Sequence, residues 1–165
     1  MQIRLATETD ADAIWALLQV VFRAGDTYAV DPAISREDAL AYWIEQPAAT
    51  YVVEDAGAII GTFYIKTNQQ GGGAHVCNCG YIVSAAARGK GLAAKMCEAS
   101  QVQALALGYR AMQFNFVLAS NAGALRLWDR LGFVIVGTLP RAFDHPTLGL
   151  IDAHVMFKWL DDAAD

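Results

Sequence analysis

The 165-residue sequence contains no apolar run approaching 18 residues, so a membrane-spanning helix is not expected. Its first residues, Met-Gln-Ile-Arg-Leu-Ala-Thr-Glu, lack the basic-then-apolar pattern of a signal peptide. Positive charge is scarce as well, since 12 Lys and Arg face 17 Asp and Glu and leave a net charge of −5. Proteins that bind nucleic acid through electrostatics carry a basic surface instead. The composition therefore predicts neither a membrane nor a nucleic-acid partner.

Cysteine is also scarce. Three cysteines are a small and odd number, which favours reduced thiols and a cytoplasmic protein over a disulfide framework. The hydrophobic fraction of 55% and the charged fraction of 18% argue against disorder. The length suits one domain over residues 1–165 with a sizeable core.

Apolar spacing and turn signals predict seven strands and four helices in the order β-α-α-β-β-β-α-β-α-β-β. Ser35, followed by Asp38 three residues on, is typical of a helix N-terminus. A loop is predicted around Pro140 and Pro146, followed by a last strand over 152–160. The middle strands form an antiparallel meander and the later elements alternate. This order predicts a mixed α/β domain.

One predicted strand, His75-Val-Cys-Asn-Cys-Gly-Tyr-Ile-Val83, raises the question of a metal site. Side chains alternate along a strand, so His75, Cys77 and Cys79 share one face and Asn78 lies on the other. A structural zinc site needs four ligands, and three positions spaced by about 7 Å along one strand cannot close around one ion. We therefore expect no metal, and we expect the two thiols to pack against a helix.

A glycine-rich turn, Arg88-Gly-Lys-Gly-Leu-Ala-Ala-Lys95, follows this strand and enters a helix. The N–H groups and dipole of a helix N-terminus favour an anion, and Gly89 and Gly91 let a phosphate approach the backbone. A Walker A loop is excluded because no Ser or Thr follows a lysine in the required frame. A Rossmann fingerprint is excluded because the next strand supplies no acidic residue. A basic turn that only caps the helix remains open.

Two segments together resemble the GNAT acetyltransferases. Arg88-x-x-Gly91-x-Ala93 is similar to the family motif Gln/Arg-x-x-Gly-x-Gly/Ala. The segment 121–133 is similar to the family pattern Asn-x-x-Ala-x-x-Leu-Tyr-x-x-x-Gly-Phe, with matches at Asn121, Ala124, Leu127, Gly132 and Phe133. The element order agrees over nearly the whole chain. The resemblance implies a mixed, mostly antiparallel central sheet flanked by helices, with a splayed strand pair that grips the coenzyme.

The resemblance also implies acetyl-CoA as co-substrate, a small-molecule amine as acceptor and a homodimer. By resemblance, the coenzyme is held by Ile82, Val83, Arg88, Gly89, Lys90, Gly91, Leu92, Ala93, Asn121 and Trp128. A backbone N–H near Ile82 or Val83 is the expected oxyanion donor.

The chain departs from the family at two catalytic positions. Asn78 stands near the position where many relatives carry Glu, and Asn cannot take a proton. Trp128 replaces the tyrosine proposed as general acid, and an indole N–H is not a useful acid. The leaving thiol has a pKa of about 8.5, so loss of the acid is tolerable, and an amine that arrives neutral needs no base. We therefore expect direct transfer through a ternary complex, with Asn78 beside the reacting groups.

The acceptor is suggested by a narrower resemblance. Asn78 and Asn115 lie on the two strands that flank the coenzyme slot, and Ile151-Asp152-Ala153 lies in the last strand. These segments resemble the fungal N-acetyltransferases that act on azetidine-2-carboxylate and related proline analogues, which implies an amino acid or proline analogue. Tyr28 and Arg141 are further candidate acceptor-binding residues.

Several alternatives stay open at this point. One alternative is that Asn78 or Asn115 serves only to complete the hydrogen bonding of its strand and does not bind the acceptor. Another is that Arg141 is a turn residue facing solvent. The acceptor would instead be a phosphinothricin-like compound or a protein N-terminus. A non-catalytic acetyl-CoA sensor is an alternative from another class.

Overall fold

The computed structural model describes residues 1–161, which form seven strands and four α-helices. The strands are β1 (Gln2–Leu5), β2 (Ala49–Asp55), β3 (Ala58–Thr67), β4 (Val76–Val83), β5 (Ala111–Leu118), β6 (Val134–His145) and β7 (Gly149–Trp159). The helices are α1 (Ala11–Ala24), α2 (Arg36–Leu40, continued by a π-helical turn over Ala41–Glu45), α3 (Leu92–Ala106) and α4 (Ala122–Arg130). The predicted element order is confirmed. Across the described residues, no helix combines the length and apolarity needed to span a bilayer.

The strands form one sheet in the order β1-β2-β3-β4-β5-β7-β6. Of its neighbouring strand pairs, β4 and β5 are parallel and the others antiparallel. The β4–β5 pairing covers only Val76–Asn78 against Ala111–Gln113, after which the two strands lack a shared register. The mixed, mostly antiparallel sheet with a splayed strand pair is therefore confirmed.

Two hydrophobic cores cover the two faces of the sheet. Helix α1 buries Ile14, Leu18 and Phe22, spaced by four residues, in a core shared with α2. Helices α3 and α4 pack on the other face, in a core that contains Cys77 and Cys79. The prediction that these two thiols pack against a helix is confirmed. The alternation of β4 thus places Asn78 on the α1 side, away from the thiols.

The connection between α1 and α2 is fixed at both ends. Gly25 ends α1 with a φ of 64°, in the left-handed region that favours glycine. The Arg23 guanidinium donates to the carbonyl oxygens of Pro32 and Ile34. Ser35 caps α2 by accepting from the N–H of Asp38 at 3.0 Å, as predicted. These contacts fix the two ends of the segment, and the hydrogen bonds of Tyr28 to Tyr81 hold its middle against β4.

The predicted loop around Pro140 and Pro146 is wrong in its extent. Strand β6 continues through Pro140 to His145, and β7 already begins at Gly149. Strand β6 is the edge of the sheet, where a proline that lacks an N–H removes no ladder bond on its open side. A register shift between Leu139 and Phe143 accommodates the irregular backbone in between.

Candidate active site

The edge of β4 loses its strand partner where β4 leaves β5. The register pairs Ile82 with Thr62 of β3, and the Ser84 N–H donates to the Ile60 carbonyl at 2.9 Å. Backbone groups alternate sides along an antiparallel strand, so the Ile82 N–H points toward β3 and the Val83 N–H toward the gap. Ile82 was a predicted catalytic residue through this N–H. The geometry corrects that choice, and of the two N–H groups considered only that of Val83 faces the gap.

The hydroxyl of Tyr28 occupies part of this free edge. It accepts from the Tyr81 N–H at 2.9 Å and donates to the Tyr81 carbonyl at 3.1 Å. The ring is held edge-on by Phe22 and Trp43, with centroid distances of 5.7 and 5.8 Å. Burial raises the pKa of Tyr28 well above its usual value, so the hydroxyl stays protonated. Tyr28 thus makes the two hydrogen bonds to the Tyr81 backbone that a neighbouring strand would otherwise make.

The larger of two cavities at this gap has a volume of about 700 Å³. Seven of the residues predicted to hold the coenzyme line it, namely Ile82, Val83, Arg88, Gly89, Ala93, Asn121 and Trp128. Sequence reasoning missed Asp26 and His145, which also line it. Asp26 follows the end of α1 and His145 ends β6, so neither stands beside a motif that marks it.

Three other predicted coenzyme residues do not line the larger cavity. Lys90 is exposed, and Leu92 is buried in the core beneath α3. Gly91 is the N-cap of α3 and adopts a φ of 76°. The Leu92 side chain fills the core and does not reach the cavity. Any contact from these three positions would come from the backbone or, at Lys90, from a long exposed side chain.

The turn before α3 has the geometry of an anion cradle. Gly89 and Gly91 both have positive φ, and a Cβ at either position would meet nothing within 4 Å. The backbone conformation, rather than crowding, thus requires glycine here. No side chain caps the N-terminus of α3, which leaves its first N–H groups available to an anion beside Arg88. A pyrophosphate fits this donor set.

The smaller cavity has a volume of about 250 Å³ and opens from the same gap. Asn78, Asn115 and Tyr28 line it as predicted, together with Tyr42 and Tyr64, which the sequence analysis missed. The residues that line it carry no charged side chain. Tyr64 lies opposite Gly80 in the β3–β4 register, a relationship that needs the strand pairing to be known. The cavity is thus neutral and rich in aromatic rings.

The two asparagines are brought to one cavity but differ in their surroundings. Asn78 is half-buried, accepts from the Tyr64 hydroxyl at 3.1 Å and donates to the Gln113 carbonyl at 2.9 Å. Asn115 is exposed, accepts from the Gln113 side chain and donates to Asn68. Asn78 therefore joins three strands at the point where β4 and β5 separate. An amide nitrogen carries two donors, so Asn78 retains one for a ligand.

The predicted role of Arg141 in the acceptor pocket is wrong. Arg141 lines neither cavity, and its N–H donates to an Asp152 carboxylate oxygen at 2.8 Å. Its φ of 53° places it in the left-handed region, within the irregular part of β6. Arg141 is exposed, as the alternative expected, but it belongs to strand β6 rather than to a turn.

The thiols and the histidine of β4 have structural surroundings. Burial raises the pKa of Cys79 well above its usual value, which makes it a poor nucleophile. His75 stacks on Trp159 with a centroid distance of 5.9 Å. Within residues 1–161, no group of three or more His, Cys, Asp and Glu side chains is placed to hold a metal ion.

The second motif completes the wall between the cavities. Asn121 caps α4 by accepting from the Ala124 N–H at 3.1 Å, which is its structural role in the motif. Trp128 lies about two helical turns further along α4. It is buried against Phe114 and Tyr81 at centroid distances of 5.0 and 5.2 Å. The packed indole therefore forms part of the wall between the two cavities and lines both of them.

The splayed strand pair, the anion cradle at the following helix and the second cavity on the same gap agree with the arrangement that the resemblance to acetyltransferases implies. Residues 12–133 match the model of the acetyltransferase (GNAT) family, and the chain belongs to this family. It is an N-acetyltransferase that uses acetyl-CoA as co-substrate.

Named relatives support this assignment. The N-acetyltransferase aca1 of Schizosaccharomyces pombe is 31% identical, over 84% of this chain and 76% of that protein. The structure of a GCN5-related N-acetyltransferase from Kribbella flavida is 39% identical, covers 96% of each chain and superimposes with a TM-score of 0.90. A GNAT phosphinothricin acetyltransferase from Sinorhizobium meliloti, solved with acetyl-CoA, is 19% identical, covers 99% of this chain and 91% of its own, and has a TM-score of 0.85. This last likeness shows the shared fold.

Proposed function

We propose that this N-acetyltransferase transfers the acetyl group directly to the amine of a small molecule, namely an amino acid or a proline analogue. The observation that carries the proposal is the smaller cavity, whose volume of about 250 Å³ suits a small molecule. It meets the larger cavity at Tyr28 and Trp128, so an amine in one faces a thioester in the other. Such an arrangement lets the two substrates react without a covalent enzyme intermediate.

The chain's own residues divide between the two substrates. Arg88, the turn at Gly89 and the first N–H groups of α3 would bind the coenzyme pyrophosphate. The Val83 N–H faces the gap and would donate to the thioester oxygen as negative charge develops on it. The Tyr28 hydroxyl accepts from the Tyr81 N–H and keeps this second donor from competing for the same oxygen.

The neutral lining of the smaller cavity supports an acceptor with a carboxylate, which would meet no negatively charged side chain there. Asn78 can donate its second N–H to a carboxylate, whereas a Glu at this position would repel it. Asn115 is exposed, so its side chain can reorient toward a ligand at little cost. The aromatic rings of Tyr42 and Tyr64 would pack against a small aliphatic ring. These features favour an amino acid or proline analogue over a protein N-terminus, which lacks a nearby carboxylate.

The proposed chemistry needs no protein acid or base. Burial raises the pKa of Tyr28 and Tyr64 above their usual value, so neither hydroxyl changes charge near neutral pH. Their neighbour Trp128 offers no acidic proton. The acceptor would therefore react as the neutral amine. Its nitrogen would lose a proton to water as the C–S bond breaks and the amide forms, and the departing thiolate would take a proton from water.

The test follows release of the coenzyme thiol from acetyl-CoA with a panel of amines. The panel contains azetidine-2-carboxylate, proline, hydroxyproline, primary amino acids, phosphinothricin and a short peptide, with azetidine and pyrrolidine as matched amines lacking the carboxylate. We expect turnover of the amino acids and no turnover of azetidine and pyrrolidine, which lack the carboxylate. Turnover of only the peptide or only phosphinothricin would show that the acceptor belongs to that class and not to the amino acids or proline analogues. Acetyl-CoA binding without turnover of any amine would favour a sensor.

We also propose a homodimer through the β6–β7 hairpin. This hairpin exposes apolar side chains at the sheet edge, namely Val134, Ile135, Val136, Leu139, Leu148 and Leu150. Exposed apolar patches of this kind commonly mark an interface. Light scattering should give twice the chain mass, and Val136→Lys should reduce it to one chain. The cytoplasmic location stays a prediction, which imaging of the tagged protein would test.

A further inference from the structure

The wall between the two cavities is formed by few residues. Six line both cavities, namely Thr27, Tyr28, Tyr81, Asn121, Ala124 and Trp128. The reacting carbonyl must lie at this wall, because the amine and the thioester approach it from opposite cavities. The atoms of the acyl group beyond the carbonyl must find space at the same place.

Tyr28 is the fixed part of this wall. Its hydroxyl makes two hydrogen bonds to the backbone of one residue, Tyr81. Its ring contacts Phe22 and Trp43, both of which are fully buried. A side chain held at its ring and at its hydroxyl cannot turn aside without losing these contacts, so it does not yield to a longer ligand.

A second aromatic residue of the wall, Trp128, is equally constrained. Trp128 is buried among Tyr81, Phe114 and Phe133. Its indole therefore cannot move outward without disturbing the core beneath α4. Both rings of the wall are therefore held in place by packed side chains.

We propose that the Tyr28 ring sets the acyl-chain length that the enzyme accepts, by closing the space beyond the acetyl methyl. The two functions of the side chain separate chemically. The hydroxyl holds the β4 backbone at Tyr81, while the ring excludes additional methylene groups. Removal of the ring would widen the opening between the two cavities, so that a longer chain on the thioester could extend from the larger cavity into the smaller one.

The test measures dissociation constants of acetyl-CoA and butyryl-CoA by isothermal titration calorimetry, so it requires no acceptor. In the wild type, butyryl-CoA should bind about tenfold more weakly, the discrimination that a tight pocket achieves against extra methylenes. Tyr28→Ala should bring the two constants to within about threefold. Tyr28→Phe keeps the ring and should keep the wild-type ratio. Leu148→Ala shortens a side chain that lines only the larger cavity, and it should also keep the ratio.

Each variant is checked by its melting temperature, and Tyr28→Leu replaces Tyr28→Ala if the latter does not fold. A loss of stability alone would weaken both ligands and leave the ratio unchanged. A wild-type ratio near one, or an unchanged ratio in a folded Tyr28→Ala or Tyr28→Leu protein, would overturn the inference. It rests on the coenzyme assignment of the larger cavity and not on the acceptor. Failure of every amine in the panel would therefore refute the proposed acceptor and leave this result standing.

Discussion

Gly80 of β4 lies directly beneath the ring of Tyr64 on β3. A Cβ added at Gly80 would come within 2.6 Å of the Tyr64 Cε1 atom and 3.1 Å of the Tyr28 hydroxyl oxygen. Tyr64 in turn donates to Asn78, so the absent side chain at Gly80 makes room for two of the hydroxyls in the active site. The glycine is required by this close approach, since its φ is not positive.

Gly80→Ala should therefore displace Tyr64 or Tyr28 and reduce stability by about 1–3 kcal/mol, the usual cost of overpacking a core. It should also reduce turnover, because both hydroxyls would move. Gly72→Ala is the matched control, since a Cβ there meets nothing within 4 Å. Melting curves and thiol-release rates of the two variants check this. Equal stability of the two proteins would contradict the packing described here.

Asn78→Ala should reduce kcat/KM for the acceptor by about tenfold or more, since loss of a hydrogen bond to a charged group costs roughly 1.5–3 kcal/mol. The KM for acetyl-CoA should change little, because Asn78 does not line the larger cavity. Asn115→Ala should have a smaller effect, since Asn115 is exposed. Steady-state kinetics with both substrates varied distinguish these outcomes. A larger effect at Asn115 would assign acceptor recognition to β5 instead.

Arg88→Ala should weaken acetyl-CoA binding by about tenfold through loss of a charge-assisted contact with phosphate. Lys90→Ala removes an equal charge two residues away, but Lys90 is exposed and does not line the cavity, so its effect should be smaller. Calorimetric titration at low and high salt measures both, and the difference between the variants should persist because direct contacts are screened less than distant charges. Equal losses would indicate attraction by net charge alone.

The contact between Arg4 and Asp10 should give stability a defined pH dependence. The Arg4 guanidinium bonds to both carboxylate oxygens, at 2.7 and 2.9 Å, and these bonds hold the pKa of Asp10 well below its usual range. A carboxyl whose folded pKa is lowered stabilises the fold fully above its unfolded pKa of about 4, and the stabilisation is lost as the pH falls below that value. Denaturant melts between pH 7 and pH 3 should show a smaller acid loss in Asp10→Asn than in the wild type. If the free energy of unfolding fell equally with pH in Asp10→Asn and in the wild type, this ion pair would be excluded as a source of the acid sensitivity.

The fold was largely predictable because its signals are local. Ser35 with Asp38, and the glycines before α3, mark helix starts through short-range hydrogen bonding and backbone conformation. The loop predicted around Pro140 was wrong, because proline marks a loop in most contexts and is tolerated in a strand only at the edge of a sheet. Which strand forms the edge depends on the order of the whole sheet, and a local pattern does not contain that information.

The active site was predictable where residues follow a motif, and less so where they meet only through pairing. Arg88, Gly89 and Ala93 belong to the glycine-rich turn motif, and all three line the larger cavity. Tyr64 reaches the smaller cavity only because β3 pairs with β4 in one particular register. Arg141 was misplaced for the related reason that its position depends on an irregular section of an edge strand.

The central claim is direct transfer between substrates held together in two adjoining cavities, and initial-rate kinetics test it most directly. Rates of thiol release would be measured with acetyl-CoA varied at several fixed concentrations of an accepted amine. The account predicts double-reciprocal lines that intersect, and a Cys79→Ala protein that retains turnover, since burial suppresses ionisation of that thiol. Parallel lines, together with an acetyl group found on Cys79 by mass spectrometry, would contradict it.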